Sequence, residues 1–380
     1  MAIQKKDFTV RLEKITPFMV MEILKESSRL PDTIHFEIGQ PDLPPPPDVE
    51  KMIQKALKSG IFGYTESGGL YDLKNKISRF YRDFFNVKVP IERIIITPGS
   101  SGAFTLIFSL ALDYGEKLAL CDPGYPSYKN IAYVLNIDPV FIKTGPENRF
   151  NLTPELLLNK DFKTLCISNP SNPTGSAYTP KEIKKLYEYL KSVDKKFIVD
   201  ELYQGLIYDS EPFSALAISE EIFVVGGFSK FFCMPGLRLG WAIIPENLVD
   251  KAEMIAQNLF ISPPTLSQYG ALGAFDYTYL QRVSSTFKKR RDFLYSELKK
   301  IFHIPYKPDG AFYIWADISK YGVDSMKFAK EMLHKTKVAV TPGTDFSRFW
   351  GDRYLRFSFT SEITEMEKGI KRIKEFVKGF

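Results

Sequence analysis

"RIIITPGSSGAFTLIFSLAL", residues 93–112, joins an apolar β-branched run to a longer apolar run through a short turn containing glycine. Ile94, Ile95 and Ile96 favour a buried strand, and the stretch after Gly99 has the length of a buried helix. The same alternation continues through "KLALCDPGY" (117–125), "DPVFIKTG" (138–145), "TLCISNP" (164–170), "KKFIVDELY" (195–203), "IFVVGGFS" (222–229) and "RLGWAIIP" (238–245). Continuous apolar strands separated by helix-like segments predict an α/β fold with a mostly parallel sheet covered by helices on both faces. In such sheets ligands bind beyond the carboxyl ends of the strands.

Outside this core, "GQPDLPPPP" (39–47) predicts an extended, rigid connection closing an N-terminal arm, with Pro44–Pro47 as a spacer. The charged stretch "RVSSTFKKRRDFLYSELKKI" (282–301) reads as a helical bridge. "GAFYIWADIS" (310–319), "KVAVTPGTDF" (337–346) and "RYLRFSF" (353–359) supply strands of a smaller α+β domain. The expected division is residues 1–43 as arm and part of the small domain, 44–280 as the large domain, and 281–380 as the rest of the small one.

The chain has 380 residues, 44% hydrophobic and 25% charged, within the range of soluble globular enzymes. Its formal charge of +6, from 51 Lys+Arg against 45 Asp+Glu, is spread over segments such as "KEIKKLYEYLKSVDKK" (181–196). That dispersion speaks against a nucleic-acid arm. The three cysteines, Cys121, Cys166 and Cys233, are odd in number and isolated, which fits a reducing compartment. "MAIQKKDFTVRLEK" lacks an apolar signal core, and no run of about 18 apolar residues occurs, so a cytoplasmic protein without membrane association is expected. His35, His303 and His334 are scattered without ligand spacing, which predicts no metal site.

Polar residues fall where the strands run out. The amides near Ser100, Ser101 and Gly102 lie at a helix N-terminus and suit a phosphate, although a plain serine cap reads the same. Gly99–Ala103 also approximates the G-x-S-x-G nucleophile elbow, which keeps a serine hydrolase open as a reading from another class, beside a non-catalytic binding protein. Asn169 and Asn172 precede prolines and are held away from helical geometry. Asp200 emerges from "FIV" and needs a cation or donor, and Tyr203 follows it. Lys230 sits among Phe228, Phe231, Phe232, Cys233 and Met234, where desolvation favours a neutral, nucleophilic amine able to form a Schiff base. Arg238 is near enough to return to the same pocket and pair with a phosphate. A phosphate-binding helix end, a strand-end Asp, a buried Lys and an Arg together describe a site for pyridoxal 5'-phosphate.

The ordered set "GQPD", "GYTESGG", "TPGSSGAF", "DPGYPSY", "NPSNPTG", "VDELY", "SKFFCMPGLRLGW" and "YLRFSF" resembles the class I pyridoxal phosphate-dependent aminotransferases of the aspartate aminotransferase fold type. The resemblance implies the fold type I architecture, with the small domain built from both chain ends. It implies that Lys230 carries the cofactor and shuttles the proton, that Asp200 partners the pyridine nitrogen, and that Tyr203 and Asn172 face the ring's phenolic oxygen. Ser100, Ser101, Gly102 and Arg238 fall at phosphate positions, and Tyr125 at that of the ring-stacking aromatic. Tyr64 matches a tyrosine that reaches the neighbouring subunit's phosphate, which implies a homodimer with shared sites. Arg356, helped by the backbone at Gly39, matches the clamp on the substrate α-carboxylate. Many members carry Ser or Thr where this chain, like other members, has Gly227, which puts one phosphate contact, not the cofactor, in question.

The implied reaction is amino transfer between an L-amino acid and a 2-oxo acid. Alanine, aromatic amino acids and aspartate are the candidate donors, with 2-oxoglutarate as acceptor. A carbon–sulfur β-lyase on the same fold shares every cofactor motif. "ITPFMVMEIL" (15–24) lies over the pocket in this family, so Phe18 and Met19 suggest an apolar or aromatic side-chain pocket, with a core or domain-contact role equally open.

Overall fold

In the computed structural model, which describes residues 9–379, the apolar runs become strands with both faces buried. Along the chain the strands are β1 (Ile34–His35), β2 (Ile94–Thr97), β3 (Lys117–Asp122), β4 (Asp138–Lys143), β5 (Thr164–Ser168), β6 (Lys196–Asp200), β7 (Phe223–Gly227), β8 (Gly240–Ile243), β9 (Tyr313–Asp317), β10 (Val338–Ala339), β11 (Thr341–Pro342) and β12 (Tyr354–Ser358). Seven of them form one sheet in the order β2-β8-β7-β6-β5-β3-β4. Successive residues divide between two cores, because side chains alternate across a strand. Phe197 and Val199 enter one core with Leu165 and Val224, while Ile198 enters the other with Cys166 and Val225.

Every neighbour pair in this sheet is parallel except those of β8, which runs against both β2 and β7. The link from β7 to β8, residues 228–239, contains only a 3-10 turn at Pro235–Leu237, and without a crossover helix the chain must fold back. A second departure from strict alternation lies between β6 and β7, where residues 201–222 carry only the 3-10 turn Ala215–Ala217. The buried carboxylate of Glu201 organises that loop, accepting from the Ala215 amide at 2.6 Å and from Ser214 Oγ at 3.1 Å.

The chain ends meet. β1 pairs in parallel with β10, Ile34 opposite Val338, and β11, β12 and β9 form an antiparallel sheet beside them. Residues 1–8 of the expected arm lie outside the described residues. The bridge is the helix Tyr277–Leu298, and its Arg290, only 1% exposed, holds both ends. Arg290 donates to Asp42 Oδ1 at 2.6 Å and Oδ2 at 2.9 Å, to Glu362 Oε1 at 2.6 Å and to the Thr360 carbonyl at 3.2 Å. The proline run is extended at Pro46, but Pro47 is the first residue of the helix Pro47–Lys58. The spacer is therefore shorter than expected, because a proline at the first helical position loses no hydrogen bond and has the right φ already.

Removing the Arg290 guanidinium strands Asp42 and the Thr360 carbonyl, although both carboxylates remain partly hydrated. Arg290→Ala is expected to lower unfolding free energy by about 2 kcal/mol, within the range for charge-assisted hydrogen bonds, read as a shift in urea midpoint at unchanged slope.

Candidate active site

One cavity of about 370 Å³ opens at the carboxyl ends of β5, β6 and β7. Its wall collects Gly39, Ser100, Ser101, Tyr125, Asn172, Asp200, Tyr203, Lys230, Arg238 and Arg356, which are far apart in sequence. Two expected residues are absent from it. Gly102 is turned inward by the first helical turn, where a Cβ would stand 3.0 Å from Pro98 and 3.4 Å from Phe260. Tyr64 is 81% exposed and lies outside the cavity of its own chain.

The anion end is built by backbone. The helix Gly99–Ala111 begins directly after β2 and has no acidic residue in its first turn, so the free amides at Ser100 and Ser101 face no competing carboxylate. Gly99 has φ +73°, and a Cβ there would come within 2.6 Å of Arg238 Nη2. A Cβ on Gly240 would meet the Gly99 carbonyl carbon and the Ser100 nitrogen, each at 2.7 Å. Both glycines thus let the helix start, Arg238 and β8 pack closely where any side chain would collide. Gly227 has a similar cause, since a Cβ there would stand 2.8 Å from Leu202 Cδ1. A hydroxyl-bearing side chain at that position meets Leu202 first.

The carboxylate end is Asp200, at the tip of β6. Its Oδ2 accepts a hydrogen bond from the Tyr128 hydroxyl and its Oδ1 from the Leu202 amide at 3.0 Å. Burial raises its pKa to about 6, with the Tyr128 bond, the Leu202 amide and the Lys230 cation opposing. Tyr128 escaped the sequence reading, although it sits three residues from Tyr125 at the start of the helix Pro126–Val134, a spacing that puts both rings on one face. The two rings meet edge to face at 5.4 Å.

Between these ends lies Lys230. Its Nζ donates to the Gly39 carbonyl at 2.7 Å and stands 5.8 Å from the Tyr203 ring and 5.7 Å from the Phe312 ring. Burial lowers its pKa to about 8, Arg356 and Arg238 push the same way, and Asp200 opposes them. The Tyr203 hydroxyl is bonded to that of Tyr313 at 2.8 Å. Tyr313 also went unread, because it lies within the apolar run "GAFYIWAD" and its partner Tyr203 is distant in sequence.

Arg356 faces in from β12. It donates from Nη1 to Asn172 Oδ1 at 3.0 Å, and from Nη2 to the Glu37 carbonyl at 2.8 Å and Thr341 Oγ1 at 3.2 Å. Its Nε is buried without a partner. Asn169, by contrast, accepts from the Tyr178 amide at 2.9 Å and serves the turn. In the N-terminal segment, Phe18, Val20, Met21 and Leu24 reach the cavity and Met19 does not, because the helix Met19–Ser27 rotates it away. The hydrolase elbow also lapses. Ser101 lies inside a helix that starts at Gly99, and no histidine lines the cavity.

The arrangement offers an anion cradle, a carboxylate facing it, an amine between them and a guanidinium for a second anion. The class I and II aminotransferase family matches residues 31–373. The valine–pyruvate aminotransferase of Mycobacterium tuberculosis is 32% identical over 94% of this chain and 96% of its own. An aspartate aminotransferase of Sulfurisphaera tokodaii is 35% identical over 90% of each. The crystal structure of an aminotransferase from Mycobacterium tuberculosis superposes with a TM-score of 0.94 at 31% identity, covering 99% of this chain and 100% of that one. The chain belongs to the class I and II aminotransferases.

Proposed function

We propose that this protein transfers an amino group between an L-amino acid and a 2-oxo acid with pyridoxal 5'-phosphate as cofactor, and that Lys230 is its catalytic base. The single observation carrying the reading is the Lys230 amine, set between Asp200 and two arginines in one cavity and brought to a pKa of about 8. The cofactor fits the donor set. The Ser100 and Ser101 amides and Arg238 would hold its phosphate, and Asp200 its ring nitrogen. Tyr125 would cover the ring, and Tyr203 and Asn172 would face its phenolic oxygen. When bound, it supplies the electron sink for the carbanion formed at the amino-acid α-carbon.

The chain's own residues do the rest. Arg356 holds the substrate α-carboxylate, with its unpaired Nε as a donor still free. Asn172, bonded to the same guanidinium, fixes the fork in place. Lys230 Nζ takes the α-proton, a step that requires the neutral amine. The candidate donors are alanine, aromatic amino acids and aspartate, with 2-oxoglutarate among the acceptors.

A homodimer belongs to this reading. Phe62, Tyr64, Tyr71, Leu259 and Ile261 are exposed apolar or aromatic residues, a group that a second copy could cover while delivering Tyr64 to its neighbour's site. We assign residues 44–280 to the cofactor-binding domain, with 1–43 and 281–380 forming the other. Among the described residues no helix is long and apolar enough to cross a membrane. The free thiols of Cys121, Cys166 and Cys233 support a reducing, cytoplasmic setting.

Borohydride reduction of the protein mixed with pyridoxal phosphate should fix the label at Lys230, and Lys230→Ala should lose it. Incubation with a donor amino acid should then aminate the cofactor stoichiometrically without releasing ammonia. Label remaining on the variant, or ammonia with pyruvate as products, would overturn the assignment.

The amine's titration gives an independent check. Only the neutral form is nucleophilic, so acetic anhydride should modify Lys230 of the cofactor-free protein tenfold faster per pH unit below about 8 and level off above it. A lysine at the ordinary 10.5 would keep gaining beyond pH 9. Arg356→Met removes a cation that disfavours the ammonium form, so the midpoint should move to higher pH, read by peptide mass spectrometry.

A further inference from the structure

The helix Met19–Ser27 crosses the mouth of the cavity and is fastened at its start by a residue from the other end of the chain. Asp345 accepts from the Met19 amide at Oδ1, 3.1 Å, and from the Val20 amide at Oδ2, 3.3 Å. A carboxylate across a helix N-terminus suits the dipole and fixes the direction in which the helix presents its side chains. Val20, Met21 and Leu24 then face the cavity, with Phe18 before them and Phe346 beside Asp345. Phe18 lies 6.2 Å from the Tyr125 ring, and Phe346 packs 4.6 Å from the Arg356 guanidinium carbon. The surface next to the α-carboxylate clamp is therefore apolar.

Charge completes the picture. The cations lining the cavity are Lys230, Arg238 and Arg356, and the proposed function gives each a task. Lys129 and Arg348 lie in a separate pocket on the other side of Asp345 and Phe346, where Arg348 stacks 3.7 Å over the Phe141 ring. The acid at this end is Asp345, since the buried Glu37 carboxyl pairs with His35 Nδ1 at 2.7 Å and gives the site only its backbone carbonyl. A distal carboxylate on a substrate would lose water against hydrocarbon, find no unassigned cation among this chain's lining residues and stand near the Asp345 carboxyl. An apolar side chain gains by the same burial.

Resting on the aminotransferase reading, we infer that the donors are L-amino acids with neutral apolar side chains, such as leucine, methionine and phenylalanine, and that Phe18, Val20, Met21 and Leu24 select them against aspartate and glutamate. Donor and acceptor enter the same pocket in turn, so apolar 2-oxo acids are likewise preferred to 2-oxoglutarate.

The test is the donor half-reaction of the pyridoxal phosphate-loaded enzyme, followed by absorbance in single turnover. Leucine, methionine and phenylalanine should each react at least 10-fold more efficiently than aspartate or glutamate. Met21→Arg adds a cation to the wall at a position 57% exposed, where the fold tolerates it. It should raise the aspartate-to-leucine efficiency ratio at least 10-fold. Aspartate or glutamate matching leucine in the wild-type enzyme, or an unchanged ratio in Met21→Arg, overturns the inference and leaves the aminotransferase reading standing. Failure of every amino acid, alanine included, sinks both.

Discussion

Three cations share one cavity, and their mutual repulsion is the constraint around which the site is built. Lys230 answers it by losing its proton easily, since burial and two guanidinium groups act in the same direction. Arg238 answers it by position, at the exposed mouth beside the helix amides, with a carbonyl acceptor at Pro235 3.1 Å away. Arg356, which is buried, relies on Asn172, the Glu37 carbonyl and Thr341. The uneven solution is useful chemically. Two guanidinium groups face the cavity as anion partners, while burial lowers the pKa of the amine between them to about 8.

That arrangement ties the site to the whole fold. The acceptors for Arg356 come from the loop after β5, from the arm before the proline run and from β11, so its hydrogen bonds form only when the two chain ends have met the large sheet. Arg290 makes the same connection from the bridging helix. Loss of packing at either end therefore reaches the Arg356 guanidinium through backbone carbonyls as well as side chains. An active site between two sheets depends on this wiring for its precision.

The sheet was legible because its strands are continuous apolar runs whose ends carry Ser100, Asp200 and Lys230, a pattern that alternation and burial dictate. The reversed β8 was not, because its residues are as apolar as those of its parallel neighbours and only the missing crossover helix sets its direction. Within the site, groups acting through their own backbone turn stood out, as with Ser100, Asn172 and Asp200. Tyr128, Tyr313 and Asp345 were hidden because each acts on a partner distant in sequence. Met19, for which a packing role was equally open, stands outside the cavity at the start of a helix whose first amides bond to Asp345 from the other end of the chain.

Asp200 and Glu201 show how far one strand end can separate two carboxyl groups. Adjacent strand residues point to opposite faces, so Asp200 meets the cavity while Glu201 enters a pocket with Phe80, Tyr81 and Trp241. Burial raises both, Asp200 to about 6 and Glu201 to about 8. For Asp200 the Tyr128 hydroxyl, the Leu202 amide and Lys230 pull back toward the ionised form, and for Glu201 the negative Asp200 adds to the rise. Glu201 therefore holds its proton more tightly than Asp200, the carboxyl that faces the cavity. Glu201 can hold its proton on the oxygen that has no partner while its other oxygen keeps the Ser214 and Ala215 loop closed.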